Sequence, residues 1–279
     1  MSSISLINCV GPSMGEFPMC RKKLEGKVAV VTGGASGIGE VTARLFANNG
    51  ARMVVIADIQ DELGQKIAKS IGLNTAAYIH CDVSDEEQVK AMVEWTVQNY
   101  KQLDIMFSNA GVYSKSNQTI LDLDFPSFEN LFAINVRGMA ACVKHAARAM
   151  VEGHVRGSIV CTASVAASCG AKKHIDYFMS KHAVLGLVRS ASKQLGVHGI
   201  RVNCVSPYVV ATPLTLQALG MDAEQAEEVE KIYEPYVVLK GALLKAKHVA
   251  DAVLFLASDD SECVTGHNLV VDRGYLGAT

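Results

Sequence analysis

Short apolar runs alternate along this chain with longer stretches in which apolar residues recur every three or four positions. The runs at 27–32, 52–57, 76–80, 104–108, 157–162, 200–205 and 267–271 predict strands, and the stretches between them predict helices. Such alternation implies an α/β fold: a single Rossmann-like, doubly wound domain with a seven-stranded parallel sheet and helices on both faces. A ligand would then lie across the carboxyl ends of the strands, where strand order reverses. The stretch 212–235 breaks the pattern. Leu214, Leu216, Leu219 and Met221 are followed by the acidic Asp222, Glu224, Glu227, Glu228 and Glu230, and the reading is a helical flap over a substrate, with an ordinary surface helix pair as the alternative.

Length and composition narrow this picture. The 279 residues carry no Pro/Gly/Ser-rich linker, charge block or solenoid repeat, so one domain over 24–279 is expected. Residues 1–23 lack a continuous apolar core of the signal-peptide kind and read as a flexible N-terminal tail. With 49% hydrophobic and 19% charged residues the chain can bury a large core, while a net charge of −2 with scattered cations leaves no footprint for nucleic acid. No run is long and apolar enough to predict a membrane span. The eight cysteines show no Cys-x-x-Cys spacing and read as reduced thiols in a cytoplasmic protein.

Two segments carry chemistry. The first strand feeds Gly33-Gly-Ala-Ser-Gly37-Ile-Gly39, whose glycines permit a tight turn and close approach of a pyrophosphate to the helix that follows. Asp58 ends the second strand nineteen residues past Gly39, where a carboxylate can accept from ribose hydroxyls and repel a 2′-phosphate. Ala35 and Ser36 offer no cation in the loop. NAD is the cofactor these residues favour. Further on, Ser164 precedes Tyr177 by thirteen residues, and Lys181 follows Tyr177 by four. Positions i and i+4 share a helix face, so the Lys181 ammonium can favour ionisation of a phenol that otherwise keeps its proton until pH ~10. Tyr177 is the candidate general base, and Ser164 the donor that positions the substrate oxygen. His80, Cys81 and Asp82 alternate across a strand and cannot converge on a metal, so no metal site is expected.

The Gly-x-x-x-Gly-x-Gly spacing, Asn109-Ala-Gly111, Asn135, Ser164, Tyr177-x-x-x-Lys181 and Ser206-Pro-Tyr-Val-Val-Ala-Thr212-Pro occur in this order over about residues 24–276. Together they resemble the short-chain dehydrogenase/reductase family. Within it the chain is most similar to plant NAD-dependent enzymes that oxidise terpenoid or lignan alcohols, such as borneol dehydrogenase, nepetalactol-type iridoid dehydrogenases and secoisolariciresinol dehydrogenase. The resemblance implies a cofactor site built from Gly33, Ser36, Gly37, Ile38, Gly39, Asp58, Ile59, Asp82, Val83, Asn109, Ala110, Gly111, Tyr177, Lys181, Pro207 and Thr212. It implies that Asn135 completes a catalytic tetrad by holding a water that links Lys181 to solvent, and that the protein is a homotetramer pairing 125–150 and 175–196. The chain has Pro207-Tyr208 where the family usually has Pro-Gly, and Arg273 in place of a glycine common in the family.

Val112, Tyr113, Ser164, Val165, Ala166, Cys169, Tyr208, Val209 and Leu214 are expected to line a substrate pocket that is nearly all apolar. His174 is read as a solvent-facing loop residue beside Lys172 and Lys173. The absence of convergent arginines disfavours an acyl-carrier, sugar or phosphorylated substrate. The function that follows is oxidation of a hydrophobic cyclic secondary alcohol or lactol, borneol-like or iridoid, to a ketone or lactone in plant specialised metabolism. The alternatives are a non-redox cyclase of a reactive iridoid dialdehyde on an NAD-bound scaffold, and a secoisolariciresinol-type lignan dehydrogenase.

Overall fold

The computed structural model describes residues 22–114 and 116–278; Cys9, Cys20 and all but the last two residues of the tail assigned to 1–23 lie outside them. Seven parallel strands form one sheet: β1 (Val28–Thr32), β2 (Met53–Asp58), β3 (Ala76–His80), β4 (Ile105–Ser108), β5 (Ser158–Thr162), β6 (Arg201–Pro207) and β7 (Asn268–Val271). Their spatial order is β3-β2-β1-β4-β5-β6-β7. Each lies within two residues of its predicted bounds. The reason is visible in β1, where all five residues are buried and alternate ones serve different cores. Val28 and Val30 pack into one, and Ala29 and Val31 into the other. A parallel strand covered on both faces has no polar side to show, so its sequence is an apolar run.

The helices that cover the sheet are α1 (Gly37–Asn48), α2 (Asp61–Ile71), α3 (Glu86–Tyr100), α4 (Phe125–Phe132), α5 (Met139–Glu152), α6 (Ile175–Leu195) and α9 (Ala246–Ala257). Helices α3, α5 and α6 supply Val89, Met92, Met150, Val184 and Val188 to one core. Helices α1, α2 and α9 supply Phe46, Ile67, Val253 and Leu256 to the other. Fully burying side chains of this size is worth roughly 1.5–3 kcal/mol each before conformational entropy is subtracted. The flap comprises α7 (Pro213–Leu219), a short 3-10 turn and α8 (Ala226–Tyr233). The six described cysteines are free, and burial pushes the thiols of Cys81, Cys142 and Cys204 up to about 12. No described helix is long and apolar enough to cross a membrane.

Strand order reverses between β1 and β4, and the glycine loop leaves β1 at that point. Gly33 and Gly37 adopt φ of +62° and +55°, which side chains resist. At Gly39 a Cβ would stand 2.0 Å from the Gly33 carbonyl oxygen, so only glycine lets α1 start this close to β1. Gly39→Ala is expected to lower unfolding free energy by roughly 3 kcal/mol, read from urea denaturation. An unchanged midpoint would show that the loop can give way.

Candidate active site

Above the switch point lies a cleft of about 450 Å³. One end is lined by Gly33, Ser36, Gly37, Ile38, Asp58 and Ile59, the middle by Asp82, Val83, Asn109, Ala110 and Gly111, and the far end by Ser164, Tyr177, Lys181, Pro207, Tyr208, Thr212 and Leu214. Helix α1 begins at Ser36 without a side-chain cap, leaving its first-turn N–H groups and positive dipole end toward the cleft. Asp58 is nearly buried; its Oδ2 accepts the Ala35 N–H at 2.9 Å and its Oδ1 the Gln60 N–H at 3.0 Å. The carboxylate therefore shapes the glycine loop as well as lining the cleft. A glycine cradle, an uncapped helix start and a fixed carboxylate are a donor set that fits a dinucleotide.

The Asn109 amide ties the strand ends together. Its Nδ2 donates to Thr32 O at 3.1 Å and Gly33 O at 3.3 Å, and its Oδ1 accepts from the Thr162 hydroxyl at 3.0 Å. The Thr32 hydroxyl accepts the backbone N–H groups of Asn109 and Ala110. Thr162 then uses its carbonyl to hold Lys181 Nζ at 3.0 Å.

Asn135 is completely buried, and it lies in a π-helical turn, Ala133–Gly138, set between α4 and α5. Single π turns of this kind concentrate at functional sites. Its amide is spent on protein: Oδ1 accepts Val112 N–H at 2.8 Å, while Nδ2 donates to Val112 O at 2.9 Å and Ser180 Oγ at 3.3 Å. It does not line the cleft. Gly111 lies close to both Asn135 and Lys181, since a Cβ built there would stand 3.1 Å from Asn135 Oδ1 and 3.8 Å from Lys181 Nζ.

Tyr177 and Lys181 sit on the first turns of α6, with Nζ 5.5 Å from the phenol ring centre. The expected pull of the Lys181 ammonium toward the ionised phenol is not the only influence on Tyr177. Burial raises the Tyr177 pKa, and the group that opposes it is the Ser164 hydroxyl. Burial also depresses Lys181, which is 5% exposed, to about 8, with the thiols of Cys161 and Cys204 pulling the other way.

Ala166, Cys169 and Tyr113 are not among the residues that line the cleft. The Ser164 hydroxyl accepts Ala166 N–H at 3.2 Å and caps a 3-10 turn, Val165–Ala167, which rolls Ala166 into the core. Cys169 follows that turn and turns its thiol to Val165 O at 3.4 Å. The Tyr113 ring is tilted against Tyr177 at 4.5 Å and against His174 at 4.9 Å. His174 is therefore half-buried in an aromatic row rather than free in solvent. Gly39 underlies the loop without reaching the cleft surface. Leu214 lines the cleft yet stays 40% exposed, whereas Leu216 is the flap residue turned into the core. Gln60, Ile134, Thr162 and Gln217 line the cleft without having been singled out by sequence. Only Gln60, two residues past Asp58, had a positional signal.

The family model described as enoyl-(acyl carrier protein) reductase matches residues 33–276. A (+)-cis,trans-nepetalactol synthase of Nepeta racemosa is 57% identical, covering 92% of this chain and 93% of its own. A mitochondrial (−)-isopiperitenol/(−)-carveol dehydrogenase of Mentha piperita is 57% identical over 91% and 94%. A solved short-chain type dehydrogenase/reductase from Mycobacterium marinum superposes with a TM-score of 0.82 at 32% identity, covering 91% of this chain and 97% of that one.

The depressed Lys181 pKa predicts a stability signature. Below about pH 8 both folded and unfolded chains carry the proton and the cost of burying the charge is fully present. Between about 8 and the ordinary lysine value the folded state sheds it first, and stability rises with pH. Relative to Lys181→Met, the wild type should gain on the order of 3 kcal/mol between pH 7 and pH 10 in denaturant titrations. A constant difference would place the ammonium in water.

Proposed function

The chain belongs to the short-chain dehydrogenase/reductase family, and from that premise we propose that it is an NAD-dependent alcohol dehydrogenase for a hydrophobic cyclic secondary alcohol or lactol of the monoterpenoid class. The observation that carries the reading is the convergence of Ser164, Tyr177 and Lys181 at one end of a cleft whose other end is the glycine loop with Asp58. Tyr177 takes the hydroxyl proton. Ser164 lies within hydrogen-bonding reach of that phenol and holds the substrate oxygen beside it. Lys181, fixed on Thr162 O, holds positive charge next to the phenol. When bound, the oxidised dinucleotide supplies the hydride acceptor and a second positive charge beside Tyr177.

Asp58 supports NAD over NADP, because a carboxylate already fixed by Ala35 and Gln60 is poorly placed to turn away from a 2′-phosphate, and among the described residues Lys181 is the only cation lining the cleft. The described lining, with one cation, also offers little to the acyl-carrier chemistry in the family model's description. Val112, Ile134, Tyr208, Val210 and Leu214 suit a compact alicyclic body. The carveol dehydrogenase relative favours a terpenoid alcohol. The nepetalactol synthase relative favours a second reading of the same site, closure of a reactive iridoid dialdehyde without net redox change. Free buried thiols support a reducing compartment such as the cytosol, and homotetramer assembly through α5 and α6 belongs to the same family-based reading.

NADH formation from a panel of carveol, borneol, a nepetalactol-type lactol, secoisolariciresinol and a hydroxysteroid tests both readings. Turnover should be greatest with a monoterpenoid, vanish in Tyr177→Phe and fall about a hundredfold in Ser164→Ala. Product from the dialdehyde with no NADH from any alcohol would move the assignment to the cyclase. With NADP in place of NAD, kcat/KM should drop at least about tenfold, and Asp58→Ala should narrow that gap. Equal use of both cofactors by the wild type would refute the role given to Asp58.

A further inference from the structure

Arg273, just past β7, takes no part in this chemistry, yet it binds one segment with both backbone and side chain. Its φ of +58° lies in the left-handed region that suits glycine. Its side chain is only 7% exposed. The Arg273 carbonyl accepts the N–H groups of Val238 and Leu239, each at 3.0 Å. The guanidinium donates to Leu239 O at 2.9 and 2.7 Å and pairs with the Glu234 carboxylate. The other Glu234 oxygen accepts Gly241 N–H at 3.0 Å, and Lys240 Nζ donates to Glu234 O at 2.7 Å. The chain leaving flap helix α8 is thereby closed into a hydrogen-bonded ring with Arg273 at its hub.

This ring adjoins the pocket through three tyrosines. Tyr233, the last residue of α8, meets the Tyr208 ring edge-on with centroids 5.8 Å apart, and Tyr275, two residues past Arg273, stacks on the same ring at 4.2 Å. Tyr208 lines the cleft. Gly274 between them is equally constrained, since a Cβ there would stand 2.9 Å from Val238 Cβ. Among the described residues helix α7 has no comparable polar clasp: it buries Leu216, is capped by Thr212, ends before Gly220 in the left-handed region, and keeps Leu214 and Leu219 exposed.

We propose that Arg273 is a positioning residue that makes the Tyr208 wall rigid. By clasping 234–239 it holds Tyr233 and Tyr275 against Tyr208, so α8 is the fixed base of the flap and α7 the part that yields to substrate. Resting on the dehydrogenase reading for its substrate, this clasp selects compact alicyclic alcohols over extended ones.

The backbone allows a clean test. Glycine accepts φ of +58° without strain, so Arg273→Gly relaxes the turn while deleting the clasp, and Arg273→Lys keeps a cation without the fork. Wild type and both variants are compared for thermal midpoint, amide hydrogen exchange over 226–241, and kinetics with carveol, a hydroxysteroid and NAD. Arg273→Gly should melt within a few degrees of the wild type and exchange about tenfold faster over 226–241. Its KM for carveol should rise about tenfold with kcat and the KM for NAD little changed, and its preference should shift toward the steroid. Arg273→Lys should fall between. An unchanged carveol KM in Arg273→Gly, or a parallel rise in the KM for NAD, overturns the proposal whatever the exchange shows. If the wild type oxidises no alcohol, the dehydrogenase reading fails and exchange over 226–241 alone decides the clasp: faster upholds it, unchanged overturns it.

Discussion

The Asn109 side chain spans the carboxyl ends of three adjacent strands, donating to Thr32 and Gly33 after β1 and accepting from Thr162 at the end of β5, while its own backbone ends β4. It does so at the switch point, where the connections leaving β1 and β4 diverge to opposite faces and the cleft opens. Buried polar atoms left without partners cost about 1–3 kcal/mol each, and one carboxamide satisfies several of them here. It also sets position. The Thr162 carbonyl that receives Lys181 belongs to the residue Asn109 holds, so the cofactor end and the reaction end of the cleft are registered by the same few bonds.

Within that frame the protein holds both groups of its acid–base pair toward neutrality. Burial raises the Tyr177 phenol and depresses the Lys181 ammonium, and the Ser164 hydroxyl is the internal group that favours phenolate. A site kept in this balance is poised for charge brought by a ligand. Asn135 serves this arrangement indirectly. The π turn aims its amide at Val112 and Ser180, fixing the loop after β4 against α6.

The substrate side is built differently from the cofactor side. Glycines and strand ends make the cofactor end stiff, whereas the far end depends on a flap that carries exposed leucines on α7 and an anchored base at α8. The two family departures, Tyr208 and Arg273, meet at that anchor through Tyr275 and Glu234.

The sequence by itself determined the strands, the sheet type, the glycine cradle, Asp58 and the Ser164–Tyr177–Lys181 set. Each of these rests on a short-range rule: an apolar run for a strand buried on both faces, fixed glycine spacing for a turn, one helical step between Tyr177 and Lys181. Tertiary structure alone decided the rest. The π turn around Asn135 spans six residues and leaves no periodic mark. Ser164 caps the local turn that precedes Cys169 and buries Ala166, and Tyr113 packs against the rings of Tyr177 and His174. Arg273 acquired a meaning only when the fold brought it to Glu234, 39 residues away in the chain. Local spacing records backbone geometry, but which side chains share a cavity, lose their water or find a partner depends on distances that only the packed chain defines.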